Sequence, residues 1–200
     1  AGLFLLRYND RIGTVLVAQG PNKGDRVRKN IGDALIYGLE SFVDWNLVRT
    51  FGWDATKLQL NPFLNMALTD SQYTNSSENN VEGKKVEFIP QINLKTGVRF
   101  GYRNFLTSIQ YSFLSSQYTD AENSEAAEPG DSREGIIGEI PSYQIMDISF
   151  SYRWKNITLE SGVNNVLNET YFTRRATGYP GPGIIPSDPR SFYATLEFRL

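Results

Sequence analysis

The chain has 200 residues, 40% of them hydrophobic, and a formal net charge of −2, so it is long enough to bury a core and too evenly charged to select nucleic acid. It contains neither Cys nor His, which removes disulfides, thiolate chemistry and the commonest general base and transition-metal ligand. No run of about 18 apolar residues occurs, so a transmembrane helix is excluded. A mean hydropathy of −0.37 does not exclude a membrane barrel, whose strands alternate lipid-facing and lumen-facing residues.

Gly2 to Tyr8 reads as a first strand that opens mid-strand, with no signal peptide before it. An exported protein needs such a signal, so this N-terminus is expected to be processed or cut. A loop rich in Gly, Asn and charge is expected from Asn9 to about Lys29. The second strand places Leu35, Tyr37, Leu39, Val43, Trp45 and Leu47 on one face, and Gly38, Glu40, Asp44 and Asn46 on the other. After a short turn with Gly52 and Trp53, a third strand sets Leu58, Leu60, Pro62, Leu64, Met66 and Leu68 against Gln59, Asn61, Asn65 and Thr69. Pro62 implies a local bulge there.

A polar loop from Asp70 to Glu87 leads to a fourth strand with Ile92, Leu94, Val98, Phe100 and Tyr102 on its apolar face. Arg103-Asn104 is a tight turn. The fifth strand alternates Thr107, Ile109, Tyr111 and Phe113 with Ser108, Gln110 and Ser112. The longest polar stretch, about Ser115 to Ile140, carries Asp120, Glu122, Glu125, Glu128, Asp131, Glu134 and Glu139 against Arg133. Met146, Ile148, Phe150, Tyr152 and Trp154 mark the sixth strand, Lys155-Asn156 a short turn, and Ile157, Leu159 and Val163 the seventh. After Asn165–Asp188, the last strand alternates Phe192, Ala194, Leu196, Phe198 and Leu200 with Ser191, Tyr193, Thr195, Glu197 and Arg199.

Short and long connections therefore alternate, as in bacterial outer-membrane barrels. Trp45, Trp53, Phe100, Tyr102, Phe105, Tyr152, Trp154 and Phe198 all lie near a short turn or the C-terminus. That is the distribution of an aromatic girdle at one membrane interface. A soluble sandwich buries its aromatics near strand centres instead.

The wording of the end is more specific. Gly162-Val163-Asn164-Asn165-Val166-Leu167-Asn168 precedes Tyr171, and Pro189-Arg190-Ser191-Phe192-Tyr193 opens the last strand. This resembles the C-terminal end of TonB-dependent outer-membrane receptors. Asn30-Ile31-Gly32-Asp33-Ala34 with Tyr37-Gly38-Leu39-Glu40, Val86 to Pro90, and Pro141-Ser142-Tyr143 with Asp147 and Tyr152-Arg153-Trp154 are similar to further segments of the same family, in the same order. The family usually ends on an aromatic residue, whereas this chain ends on Leu200 with Phe198 two residues before it.

The resemblance implies an all-β fold: an antiparallel, up-and-down transmembrane β-barrel of about 22 strands with a plugged lumen. Residues 1–200 are then about eight strands from its C-terminal part, with the plug domain, the TonB box and the earlier strands absent. It also implies short turns at the periplasmic side, four extracellular loops, and TonB-dependent uptake of a ferric chelate, a siderophore or ferric citrate, across the bacterial outer membrane. The Tyr179 to Arg190 wording most resembles ferric-dicitrate receptors. Partners implied are the chelate, the TonB-ExbB-ExbD system acting through the missing region, and outer-membrane lipid and lipopolysaccharide. No cofactor is implied, with iron only part of the cargo.

Two basic groups lie in the loops: Lys23, Arg26, Arg28 and Lys29, and Arg174 with Arg175. Arg26, Arg28, Arg174 and Arg175 are candidates for an anionic chelate, because guanidinium groups form charge-assisted, often bidentate bonds to carboxylates. Solvated loop charge or contact with lipopolysaccharide is the simpler account of both groups. The acidic loop lacks the spacing of a calcium loop and reads as solvated. Glu40, Asp44, Asp147, Glu160, Glu197, Arg99 and Arg199 are expected in ion pairs along the barrel wall. No nucleophile-plus-base arrangement is visible, so the chain reads as non-enzymatic. The alternative function is a self-contained, eight-stranded outer-membrane barrel of structural or adhesive kind, since eight strands suffice to close a barrel.

Overall fold

Eight strands pair in chain order into one antiparallel sheet: β1 (Gly2–Leu16), β2 (Arg26–Asp44), β3 (Leu58–Asn75), β4 (Ile92–Tyr102), β5 (Phe105–Leu114), β6 (Tyr143–Trp154), β7 (Ile157–Asn164) and β10 (Ser191–Phe198). A separate hairpin, β8 (Phe172–Ala176) with β9 (Gly183–Pro186), fills part of the connection between β7 and β10. A one-turn helix, α1 (Leu47–Thr50), sits between β2 and β3. This computed structural model describes residues 1–17, 20–21, 26–126, 137–176 and 183–199.

The register carries each strand's apolar phase into its neighbour. Leu58, Tyr102, Phe105, Tyr152, Leu159 and Leu196 form one row across six strands. Pro62, Val98, Ile109, Ile148, Val163 and Phe192 form a parallel row further along. A one-residue slip at any joint would turn that strand's apolar set to the wrong face. The opposite face is polar, as in the row Asn61, Arg99, Ser108, Ser149, Gly162 and Tyr193. One apolar and one polar face is the layout of a transmembrane barrel wall.

Glycines on the polar face accept the rings of their cross-strand partners. A Cβ on Gly38 would lie 2.8 Å from the Phe4 ring, and one on Gly97 2.8 Å from the Phe63 ring. Gly162 stands in the same relation to Tyr193. Each ring covers backbone its neighbour leaves bare.

Several expectations are corrected. The loop expected from Asn9 to Lys29 is mostly strand, because β1 continues to Leu16 and β2 begins at Arg26. The pairing survives two register shifts, with Asp10 at φ 52° and its N–H donating to Asp33 Oδ1 at 3.0 Å. β3 likewise runs on to Asn75 instead of stopping near Thr69. These extensions are polar because they lie past the apolar rows, where both faces meet water or loops.

Pro62 makes no bulge, since it pairs with Val98 in an unbroken register. Its carbonyl accepts from Trp45 N at 3.0 Å, on the side where β2 ends. A residue's N–H and C=O point to the same neighbour, so the missing donor costs the β3–β4 ladder nothing. Leu47, expected in the second strand, lies in α1, which Asn46 caps by accepting from Arg49 N at 2.9 Å. The β8–β9 hairpin was not expected. Leu200 and the motif residues 177–182 lie outside the described residues.

The sheet stays open. Among the described residues, β1 pairs only with β2, and β10 only with β7. Leu3 on β1 is 85% exposed and Phe192 on β10 is 74% exposed. The self-contained eight-stranded barrel therefore fails, because closure would join these two edges.

Candidate functional site

The long connections all leave the sheet at the end opposite the short turns, and the best-buried part of the chain is found there. Ile31, Ala34, Ile36 and Tyr73 on the polar face of β2 and β3 pack with Val81 and Val86 from residues 76–91 and Ala121 from residues 115–142. Phe4 and Ile89 lie against them. Apolar loop residues thus fold back over the lumen side of the wall and do not stand out in solvent.

A polar cluster is built into this core. Tyr73, fully buried, donates its hydroxyl to Glu87 Oε2 at 2.6 Å and accepts from Arg11 Nε at 3.2 Å. Arg11 also pairs with Glu87 at 3.3 Å. Tyr73 lies near the outer end of β3, far beyond the apolar rows. Burial first, and then its bond to Glu87, push its hydroxyl well above the ordinary tyrosine range.

The loops are tied to each other. Lys85 N donates to Asn123 Oδ1 at 2.7 Å, and Asn123 Nδ2 donates back to Lys85 O at 2.8 Å. Phe88 N donates to Tyr118 O at 2.9 Å. Thr119 and Gly138 bond reciprocally, and Gln117 bridges Ile140, drawing the two ends of residues 115–142 together.

The predicted basic residues that the structure describes fall on different elements. Arg28 and Lys29 are exposed, and Lys29 pairs with Glu78 at 2.6 Å. Arg28 is paired with Thr14 in the β1–β2 register, where alternation gives it the face opposite to Lys29. Arg26 lies at the start of β2, paired with Leu16. Lys23 is outside the described residues. Arg174 on β8 is exposed. Its neighbour Arg175 instead turns into the loops: it donates from Nη2 to Glu139 O at 2.9 Å and lies 5.3 Å from the Phe172 ring centre. Burial lowers its pKa from the usual arginine value. Among the described residues, β8 pairs with β9 and lies in a separate sheet from β2, which carries Arg28.

Glu128, Asp131, Arg133 and Glu134 of the acidic loop lie outside the described residues. Of the rest, Asp120 accepts from Glu122 N at 2.9 Å and from Ser124 N at 3.3 Å, a local turn. Among the described residues no group of acidic side chains is arranged to hold a metal ion.

On the wall's polar face, Asp44 pairs with Arg99 across the intervening β3, and Asn61 of β3 donates to Asp44 at 3.3 Å. Arg99 also lies 5.4 Å from the Phe63 ring centre. Glu197 pairs with Arg199 at 3.0 Å, and Asp147 accepts from Asn165 N at 2.8 Å.

The aromatic residues gather at the short-turn end. Tyr102, Phe105 and Tyr152 are consecutive in one row, and Phe100 is one step inward on the same face. Trp154 and Phe198 flank Ile157 in the row beyond. Trp45 follows β2 directly, its indole N–H donating to Thr50 Oγ1 at 2.9 Å, and Trp53 stacks on Phe51 with ring centres 5.3 Å apart.

Sequence reading missed Tyr73, Glu87 and Asn123. The only sequence signal was Val81 and Val86, apolar residues spaced through an otherwise polar loop.

The chain matches the family model described as "TonB dependent receptor-like, beta-barrel" over residues 1–166. Among solved structures it is similar to the ferric citrate transporter FecA in the unliganded form, with a TM-score of 0.72 and 22% identity over 98% of this chain and 28% of that one. It is similar to the outer-membrane ferripyoverdine receptor of Pseudomonas aeruginosa bound to ferripyoverdine, with a TM-score of 0.64 and 16% identity over 98% of this chain and 24% of that one. The copper transporter OprC matches with a TM-score of 0.63 and 14% identity, over 98% of this chain and 28% of its own. The chain thus spans only about a quarter of the length of each. At such identities the likeness establishes the fold. The family match covers most of the chain, although it stops short of the Pro189 to Tyr193 motif. Open sheet, two-faced register and family match agree: the chain belongs to the TonB-dependent receptor-like β-barrel family of the bacterial outer membrane.

Proposed function

We propose that the chain is a C-terminal sector of the barrel of a TonB-dependent receptor that carries a ferric chelate across the outer membrane. The observation behind this reading is the open sheet: its two free edges call for neighbouring strands, and the family it belongs to builds larger barrels. In this reading residues 1–200 supply wall and extracellular loops. A plug, a TonB box and the remaining strands belong to the rest of the receptor, through which TonB-ExbB-ExbD delivers energy. The cargo is the ligand, and no resident cofactor or enzymatic step is needed.

The class of cargo rests on the likeness to the ferric citrate transporter and the ferripyoverdine receptor. The copper transporter shares the fold, so the wall alone does not choose the cargo. Exposed Arg174 is the best-placed of the basic candidates for an anionic chelate, and Arg175 is better read as a tie between loops. Arg26 and Arg28 suit an anionic headgroup such as that of lipopolysaccharide as well as a chelate. Trp45, Trp53, Phe100, Tyr102, Tyr152, Trp154 and Phe198 act as anchors at the periplasmic interface, where amphipathic rings settle.

The test is accumulation of radiolabelled iron, presented as ferric citrate or as siderophore complexes, by cells making the intact receptor. Uptake of at least one chelate that needs both the receptor and TonB is expected. Uptake of none, in cells with the receptor folded in the outer membrane, overturns the reading.

A further inference from the structure

Two of the short turns are built alike. Tyr102-Arg103-Asn104-Phe105 joins β4 to β5, and Trp154-Lys155-Asn156-Ile157 joins β6 to β7. Each runs aromatic, cation, Asn, apolar. In each the cation takes a left-handed backbone, φ 55° at Arg103 and 53° at Lys155, which glycine would adopt with less strain. In each it also folds back over the ring before it. The Arg103 guanidinium lies 5.4 Å from the centre of the Tyr102 ring, and Lys155 Nζ 5.5 Å from that of Trp154.

Those rings decide on which side the two charges stand. Tyr102 is in the apolar row with Phe105 and Tyr152, and Trp154 follows Tyr152 on the same face, one step outward. A cation held against such a ring stands on the apolar side of the rim and not over the lumen. Arg153 is the contrast: it lies between Tyr152 and Trp154, so alternation puts it on the polar face, in a row with Thr158 and Glu197. The acidic side chains beyond the aromatic row are already engaged, Asp54 with Lys57 at 3.2 Å and Glu197 with Arg199 at 3.0 Å. Arg103 and Lys155 are exposed and have no acidic partner among the described residues. Their turns are two strand spacings apart, about 10 Å, with Phe105 and Tyr152 paired between them.

We propose that Arg103 and Lys155 form a seat for the phosphate of an anionic phospholipid, with Phe105 and Tyr152 beneath its glycerol and upper acyl chain. The proposal rests on the reading of this face as lipid-facing and of its rings as anchors at the membrane interface. At that depth a phosphodiester meets guanidinium and ammonium donors whose stems already lie on apolar surface. Each such cation favours anionic lipid. A zwitterionic headgroup brings its own cation to the same place and gains less.

The experiment places the intact receptor in nanodiscs of equal phosphatidylglycerol and phosphatidylcholine, with Phe105 replaced by photoreactive p-benzoylphenylalanine. The lipid captured between the two turns on illumination is identified by mass. The parent is expected to capture phosphatidylglycerol about tenfold over phosphatidylcholine. Arg103→Gln with Lys155→Gln is expected to capture the two about equally. Arg103→Lys with Lys155→Arg keeps both charges and should keep the preference, as should Arg153→Gln on the opposite face. No preference in the parent overturns the proposal, and so does an unchanged preference in the double glutamine variant. An equal loss in Arg153→Gln would mean diffuse charge at the short-turn end and also overturns it. So does displacement of the lipid by inorganic phosphate at an ionic strength where chloride leaves it bound, which would mark a site for the free anion. Capture is read without cargo or TonB, so failure here and failure of the uptake experiment are distinguishable.

Discussion

At the scale of single residues, the polar face owes its shape to glycines that accept rings. Gly97 is the sharpest case, since a side chain there meets both the Phe63 ring and the Ile109 carbonyl, the latter at 2.2 Å. Gly97→Val should cost about 1–3 kcal/mol, read as a lower urea midpoint for the folded intact receptor on heat-modifiable gels. An unchanged midpoint would mean that the strands part easily at this point. Tyr73 offers a second test, in alkali. Its folded pKa lies above the unfolded one, so the stability its hydroxyl lends is complete below about pH 10 and lost as the pH rises through the raised value. Cleavage of residues 76–91 in limited proteolysis should therefore be steady from neutrality to about pH 9 and increase only beyond about pH 10. Tyr73→Phe leaves the Arg11–Glu87 pair short of a partner. It should cost about 1–2 kcal/mol and abolish that alkaline step.

At the scale of elements, the apolar phases of β2 to β7 were legible because lipid on one side and a polar lumen on the other impose a strict two-residue period. Where that contrast ends, legibility ended too. The outer parts of β1, β2 and β3 look like loop in sequence, yet they keep their ladder, because backbone pairing does not need an apolar face. The β8–β9 hairpin is too short and polar to announce itself. The candidate site was legible only as charge: Arg174 and Arg175 look alike in sequence, and only packing against Gly138 and Phe172 separates them. The tight turns were legible, but not their cost. Arg103 and Lys155 take φ of 55° and 53°, a region that suits glycine better. Lys155→Gly should raise the urea midpoint of the intact receptor, by an amount worth about 1 kcal/mol. A lower midpoint would show that the Lys155 contact over Trp154 outweighs the backbone strain.

At the scale of the whole molecule, the described residues form an eight-stranded sheet with one apolar face and no ladder between β1 and β10. An exposed ladder edge within lipid leaves backbone groups without partners, which closure of a barrel removes. The strands are numerous enough to close on themselves, yet β1 and β10 stay apart. The intact mass of the native protein extracted from the outer membrane tests this most directly. The account predicts several times the 22.6 kDa of this chain, in keeping with relatives of which it spans about a quarter. A native mass near 22.6 kDa would contradict it.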